Sequence, residues 1–274
     1  MYPRTVTSAM LLLIILFSLP SQGRDVSSYH HLHFRVPDTA AAAAWYAKFM
    51  SGEQVKISGF DAVRQPNGIL LIFSPNDRPG VDGSVYEGEV EGSAGTAVDH
   101  IGFSFPDLNA MMSVYRDNGI NILQEPKQVA DLFSYGFVED PWGTKIEVMQ
   151  DPDLVGLHHI HVLSQQPEET IKWYQMQFGG EITAFKNIPT LPAINYSDIW
   201  LIVQGSDQPL SGTRFHSIDH LGFGVADIET AMSGYREHNV KIAAEPRAFG
   251  DLKIAFVESP DGVLIEIVAP ASAE

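Results

Sequence analysis

Four histidines open short apolar runs of alternating pattern: "HLHFRVPD" from His31, "HIGFSFPD" from His100, "HIHVLSQQ" from His159 and "HLGFGVAD" from His220. In each run a tyrosine follows fifteen residues later, at Tyr46, Tyr115, Tyr174 and Tyr235. One histidine on an apolar strand is ordinarily a core residue bonded to backbone. Four at the same phase of a fourfold repeat point to a shared task. The chain has no cysteine, which excludes disulfides, thiolate metal sites and a cysteine nucleophile, so any metal must sit on His, Asp or Glu. Glu147 in "KIEVM" and Glu266 in "LIEIV" are awkward as purely structural residues, because a buried carboxylate needs a cation or a proton.

The elements that would hold these residues follow from the change of period within each repeat. An alternating stretch gives way to apolar residues at helical spacing, with Asp38, Asp107 and Asp227 placed to cap a helix start and Glu168 and Glu169 in the first turn of the third helix. Three strand-like segments come next, clearest in the second repeat as "INILQE", "LFSYGFVE" and "TKIEVM". The unit reads βαβββ. Four such units predict an α+β fold in which units pair into two cup-shaped sheets, since helices and sheets this small must bury an apolar face against a partner. The Asp-Pro pair in "QDPDLVG" (150–156) predicts a boundary there, giving an N-terminal domain at 24–152 and a C-terminal domain at 153–274. The repeated tyrosines read as packing residues.

Composition restricts the partners. Against 17 basic residues stand 34 acidic ones, a formal net charge of −17, which disfavours nucleic acid and anionic membrane surfaces. The first 23 residues combine Arg4, the apolar run "AMLLLIILF" and the small residues of "SLPSQG". That pattern predicts a cleaved signal peptide at 1–23 and a secreted or periplasmic protein; the run is well short of the roughly 20 apolar residues that span a bilayer. No membrane association is expected after processing.

With four βαβββ units, first-strand histidines, and the closing segments "FVEDPWGTKIEV" (137–148) and "FVESPDGVLIEI" (256–267), the chain resembles the vicinal oxygen chelate superfamily of glyoxalases, bleomycin-resistance proteins and extradiol dioxygenases. The resemblance implies a divalent metal in each cup, held by first-strand histidines and last-strand carboxylates. It places Glu147 and Glu266 at the carboxylate positions, with Ile72 and Ile202 where the first and third units have lost theirs. With consecutive units paired, the ligand sets are His31, His100 and Glu147, and His159, His220 and Glu266; pairing the first unit with the fourth would exchange partners while keeping two histidines and one glutamate per cup. His33 and His161 share the inward face of their strands, as general bases or as residues that orient the ligands, and Arg35 would hold an anionic oxygen of the substrate. His30 and His158 are expected on the outer face, and His216 and His238 on the surface. Gly102, Gly222 and Gly224 would leave space near the metal or mark a crowded crossing, and Trp142 would line a cup mouth or serve as cover.

The implied function is a metal-dependent enzyme acting on a small substrate with adjacent oxygens. Two histidines and one carboxylate suit Fe²⁺ and an extradiol-type dioxygenase, although Tyr135 is the one tyrosine, and no histidine is present, just upstream of a closing glutamate. A redox-neutral lyase or isomerase on Zn²⁺, Mn²⁺ or Ni²⁺ is the alternative, and a non-catalytic small-molecule-binding protein is the rival from another class.

Overall fold

The computed structural model describes residues 27–85, 88–196 and 199–271; the expected signal at 1–23 lies outside them. Each unit opens with a long strand: β1 (Ser28–Val36), β5 (Val98–Ser104), β9 (Gly156–Ser164) and β13 (Ile218–Gly224). A helix follows in each: α1 (Thr39–Phe49), α2 (Leu108–Asp117), α3 (Pro167–Phe178) and α4 (Ile228–Glu237). Asp38, Asp107 and Asp227 are extended and accept hydrogen bonds from the backbone N–H groups of Ala41, Ala110 and Thr230, which satisfies an amide that a first turn leaves unpaired. α3 has no such cap; it starts instead with Pro167 followed by Glu168 and Glu169, a pre-set φ and two favourable charges.

The remaining strands come in threes. They are β2 (Glu53–Ile57), β3 (Phe60–Arg64) and β4 (Leu70–Pro75) in the first unit, and β6 (Asn121–Val129), β7 (Phe133–Glu139) and β8 (Lys145–Gln150) in the second. The third has β10 (Ile182–Ala184), β11 (Pro192–Asn195) and β12 (Trp200–Gly205); the fourth has β14 (Lys241–Phe249), β15 (Leu252–Glu258) and β16 (Leu264–Pro270). A single 3-10 turn, Phe185–Asn187, interrupts the third unit between β10 and β11.

Two eight-stranded sheets result, ordered β14-β15-β16-β13-β1-β4-β3-β2 and β10-β11-β12-β9-β5-β8-β7-β6. The first unit therefore shares a sheet with the fourth, and the second with the third, each through an antiparallel pairing of opening strands. This differs from the expected halves at 24–152 and 153–274 as separate cups. Residues 151–155 join β8 to β9 within one sheet, whereas the longer connections 76–97 and 206–217 run from one sheet to the other. The segment read as a boundary is thus a connection inside one sheet.

One continuous core draws on all four units. Tyr46, Tyr115 and Tyr174 are fully buried in it and Tyr235 nearly so. The Tyr46 hydroxyl donates to Asp140 at 2.8 Å, and Phe178 of the third unit stacks on Phe223 of the fourth with ring centres 4.1 Å apart. Trp142 packs against Trp45 of α1 as part of this core, away from any cup mouth. The other faces of the sheets form the cups. Among the described residues no helix is long and apolar enough to cross a membrane.

Candidate metal centres

Pairing the opening strands sets histidines face to face. In β1–β13, His33 lies opposite His220 and His31 opposite Gly222; in β5–β9, His161 lies opposite His100 and His159 opposite Gly102. The glutamates come from the strands alongside, Glu266 beside Gly222 and Glu147 beside Gly102. Two clusters form, His31–His33–His220–Glu266 and His100–Glu147–His159–His161, in each of which one ligand-capable atom per residue lies within 4.8 Å of all the others. The sets built on consecutive units are corrected accordingly: His220 rather than His100 joins His31, and Glu147 rather than Glu266 joins His159. Ile72 stands opposite His33, and Ile202 opposite His161, the register that Glu266 and Glu147 hold in the other units, so each cup has one carboxylate from a closing strand.

The residue before each first histidine is the part that alternation conceals. All four pairs, His30–His31, Asp99–His100, His158–His159 and Asp219–His220, fall at register shifts. A bulge leaves one residue unpaired and re-aims its side chain. Asp99 and Asp219 consequently accept from Nδ1 of His100 and His220, each at 2.6 Å. His30 and His158 meet Nδ1 of His31 and His159 at 2.8 and 3.0 Å. His158 is fully buried, not on the outer face, and its Nε2 reaches Asp151, which also takes Lys186. His31, His100, His159 and His220 thus each have Nδ1 occupied, which fixes the ring so that Nε2 faces the cluster.

Arg35 is committed elsewhere. Its Nε donates to Asp219 at 2.5 Å, and its Nη1 to the carbonyls of Asn76 and Arg78, so it steadies the carboxylate behind His220 instead of waiting for a substrate oxygen. His33 Nε2 lies 2.6 Å from Ser74 Oγ, and His161 Nε2 lies 3.0 Å from Oε1 of Gln204; the Nδ1 atoms of both are buried without a partner. Gly102 and Gly222 make space for imidazoles rather than for substrate: a Cβ at 222 would lie 2.2 Å from Cε1 of His31, and one at 102 would lie 2.0 Å from Cε1 of His159. His216 and His238 belong to neither cluster.

The donor set fits a divalent metal. Nε2 of His31 is 3.0 Å from Oε2 of Glu266, yet it is buried without a hydrogen-bond partner; the two atoms converge without pointing at each other. Nε2 of His159 stands in the same relation to Glu147 at 3.5 Å, and His220 and His100 lie 3.2 Å from their glutamates. Ligands at about 2.1 Å from one ion are separated by about 3.0–3.4 Å. Without metal a proton serves as the cation. Burial opposes charge on His220, but Asp219 and Glu266 outweigh it and raise its pKa to about 9. His100 is raised similarly against its burial. Burial disfavours the charged form of Glu266, yet the bond from His220 and the nearby His31 imidazole hold the carboxyl well below its usual range. Burial lowers His33 and His161 well below the ordinary histidine value, aided by neighbouring imidazoles, and lowers His159 to about 4.

The cups differ in access. The cluster of His31, His33, His220 and Glu266 lines a cavity of about 390 Å³ with walls that include Phe60, Ile72, Phe249, Ile254 and Phe256. In the other cup Phe185, at the 3-10 turn, packs on His158, His159 and Trp200 and joins Phe133, Met149, Ala193 and Ile202 in an apolar cluster. Tyr135 packs against that cluster.

Residues 28–148 and 156–267 each match the profile of the Glyoxalase/Bleomycin resistance protein/Dioxygenase superfamily. Among solved structures, the chain is similar to glyoxalase I of Zea mays, with TM-score 0.70 and 18% identity over 89% of this chain and 92% of that one. It is also similar to a "putative dioxygenase" of Bacillus subtilis, with TM-score 0.66 and 14% identity over 91% of this chain and 87% of that one. Identities this low bear on fold alone. No curated protein matches in sequence.

Proposed function

The chain belongs to the Glyoxalase/Bleomycin resistance protein/Dioxygenase superfamily, and from that premise we propose that it is an exported, divalent-metal-dependent enzyme that oxidises a catechol-like compound with dioxygen in its open cup. The observation that carries this is the convergence of His31, His220 and Glu266 at the base of the 390 Å³ cavity, with Ile72 where a second carboxylate would stand. A metal held there would polarise two adjacent substrate oxygens and, as Fe²⁺, supply electrons to dioxygen. The chain does the rest. Asp219 and Arg35 orient His220, Glu266 supplies the negative charge, and Phe60, Phe249 and Phe256 exclude water from the substrate ring.

One observation favours a redox-neutral lyase or isomerase on Zn²⁺, Mn²⁺ or Ni²⁺ as the second reading. Nδ1 of His33 is buried and unpartnered within the cluster, where the tautomer that carries its lone pair on Nδ1 would take a substrate proton. The apoprotein should be loaded anaerobically with Fe²⁺, Mn²⁺ or Zn²⁺ and screened against catechols and α-hydroxycarbonyl compounds while oxygen uptake is recorded. Uptake with Fe²⁺ and a catechol supports the first reading; turnover with Zn²⁺ or Mn²⁺ and no uptake overturns it in favour of the second. A wild-type protein that takes up no metal is a sequestering protein. For export, N-terminal sequencing of the mature product should begin near Arg24, and a full-length, membrane-retained product would refute that part.

A further inference from the structure

Beyond the metal cluster, the open cup has a basic mouth that the rest of the molecule does not predict. Arg78 and Arg247 line the same cavity as His31, His33 and Glu266. The Arg78 guanidinium lies over Phe60, 4.5 Å from its ring centre, and Phe60 lies 6.2 Å from Phe249, two residues beyond Arg247. Acids outnumber bases two to one in this chain, and the arginines that form ion pairs among the described residues are Arg35, Arg116, Arg214 and Arg236. Arg78 and Arg247 are not among them. Arg78 donates instead to Ser74 Oγ at 3.0 Å, the same hydroxyl that meets His33, so one hydroxyl joins it to the cluster. Arg78 also feels the charges of Glu266, Arg35, Asp219 and Arg247, which places the mouth and the cluster in one electrostatic neighbourhood.

The internal repeat supplies a control. In the frame that aligns Ser74 with Gln204, Gln208 stands at the position of Arg78 and Leu163 at that of Arg35. The cup filled by Phe185 has therefore lost this arginine, and the cup with a cavity has it. Unpaired arginines beside aromatic walls suit an anionic group carried on an apolar ring. A volume of about 390 Å³ is at the small end for ligand sites and admits one or two rings.

Resting on the reading of the open cup as a metal-chelating site, we propose that its substrate is a carboxylated aromatic: adjacent oxygens at the His31–His220–Glu266 cluster, an apolar ring against Phe60 and Phe249, and a carboxylate held at the mouth by Arg78 and Arg247. Calorimetric titration of the Zn²⁺-loaded protein separates the parts. The probes are 3,4-dihydroxybenzoate, 4-methylcatechol, which lacks the carboxylate, and 4-methylbenzoate, which lacks the adjacent oxygens. The dihydroxybenzoate should bind at least about tenfold more tightly than 4-methylcatechol, with a preference that shrinks as salt rises. The double variant Arg78→Gln, Arg247→Gln should abolish the preference, weakening dihydroxybenzoate at least about tenfold more than 4-methylcatechol. Equal binding of the two catechols, or a preference that survives the double variant, overturns the carboxylate assignment and leaves the chelation reading standing. Equal binding of dihydroxybenzoate and 4-methylbenzoate, both weakened by the double variant, supports the arginine site and overturns the chelation reading. Binding of none of the three overturns both.

Discussion

Replacing Gly222 by alanine tests the metal cluster through a residue that contributes no ligand. The new Cβ would lie 2.2 Å from both Cε1 and Nδ1 of His31 and 2.7 Å from its Cγ. Restoring ordinary contact at 3.4 Å moves the ring by about 1.2 Å. It cannot swing aside easily, because the rings of His30, His33 and His220 surround it with centres 5.1, 6.1 and 5.6 Å away. Metal–ligand distances tolerate only about 0.2 Å, and weakening the support behind a ligand alone costs about 10–100-fold in affinity. Displacing the ligand should therefore cost more than about 100-fold in the open cup, with an overpacking penalty of about 1–3 kcal/mol. Elemental analysis after dialysis against a weak chelator should show one of two sites emptied, and circular dichroism should show a folded protein. Gly205→Ala is the control, since its Cβ would meet Pro167 at an ordinary 3.6 Å. A Gly222→Ala protein that retains two metals at wild-type affinity would refute the assignment of His31 as a ligand.

Glu266→Gln and Glu147→Gln should each remove the one anionic member of a cluster and lower metal content by about half; loss of both metals from either variant would show that the cups are not independent. In the metal-free protein His220 has a pKa near 9 against 6.5 in an unfolded chain. Because the folded value is the raised one, this group's contribution to stability is full below about pH 6.5 and is lost as pH rises through about 9. Zn²⁺ must displace that proton, so zinc affinity of the open cup should climb from neutrality to about pH 9, and a flat profile in a competition titration would contradict this. Phe185→Ala should cost about 3–5 kcal/mol in chemical denaturation and speed extraction of the second cup's metal by a chelator; unchanged extraction would mean that Phe185 does not guard it.

Much of this was legible in the residues. Four repeats at one spacing predict the βαβββ units, and the aspartates ahead of three helices mark where those helices start, because strand period, helix period and capping are local properties of sequence. The lost carboxylates at Ile72 and Ile202 were also legible, since parallel pairing keeps the repeat frame. Pairing of the first unit with the fourth was not, because units that look alike offer one another equivalent opening-strand edges. The bulges were invisible for a different reason: counting by two sends His30, Asp99, His158 and Asp219 outward, and one unpaired residue per strand reverses that. The signal present was the recurrence of His-His in both odd units and Asp-His in both even ones. Arg35 misleads in turn, because its partner Asp219 is 184 residues away.

The interleaved sheets also impose an order of events on a chain made from its N-terminus. The middle units can close their cup as soon as β12 is complete, while β1 waits with one edge unpaired until β13 emerges, a hazard for any nascent sheet. The open cup is completed last, when β16 delivers Glu266 to His31, so a product cut short before residue 264 would carry every ligand of the second cup and lack the carboxylate of the open one. Metal bound by these two residues would fasten the last of the described strands to the first.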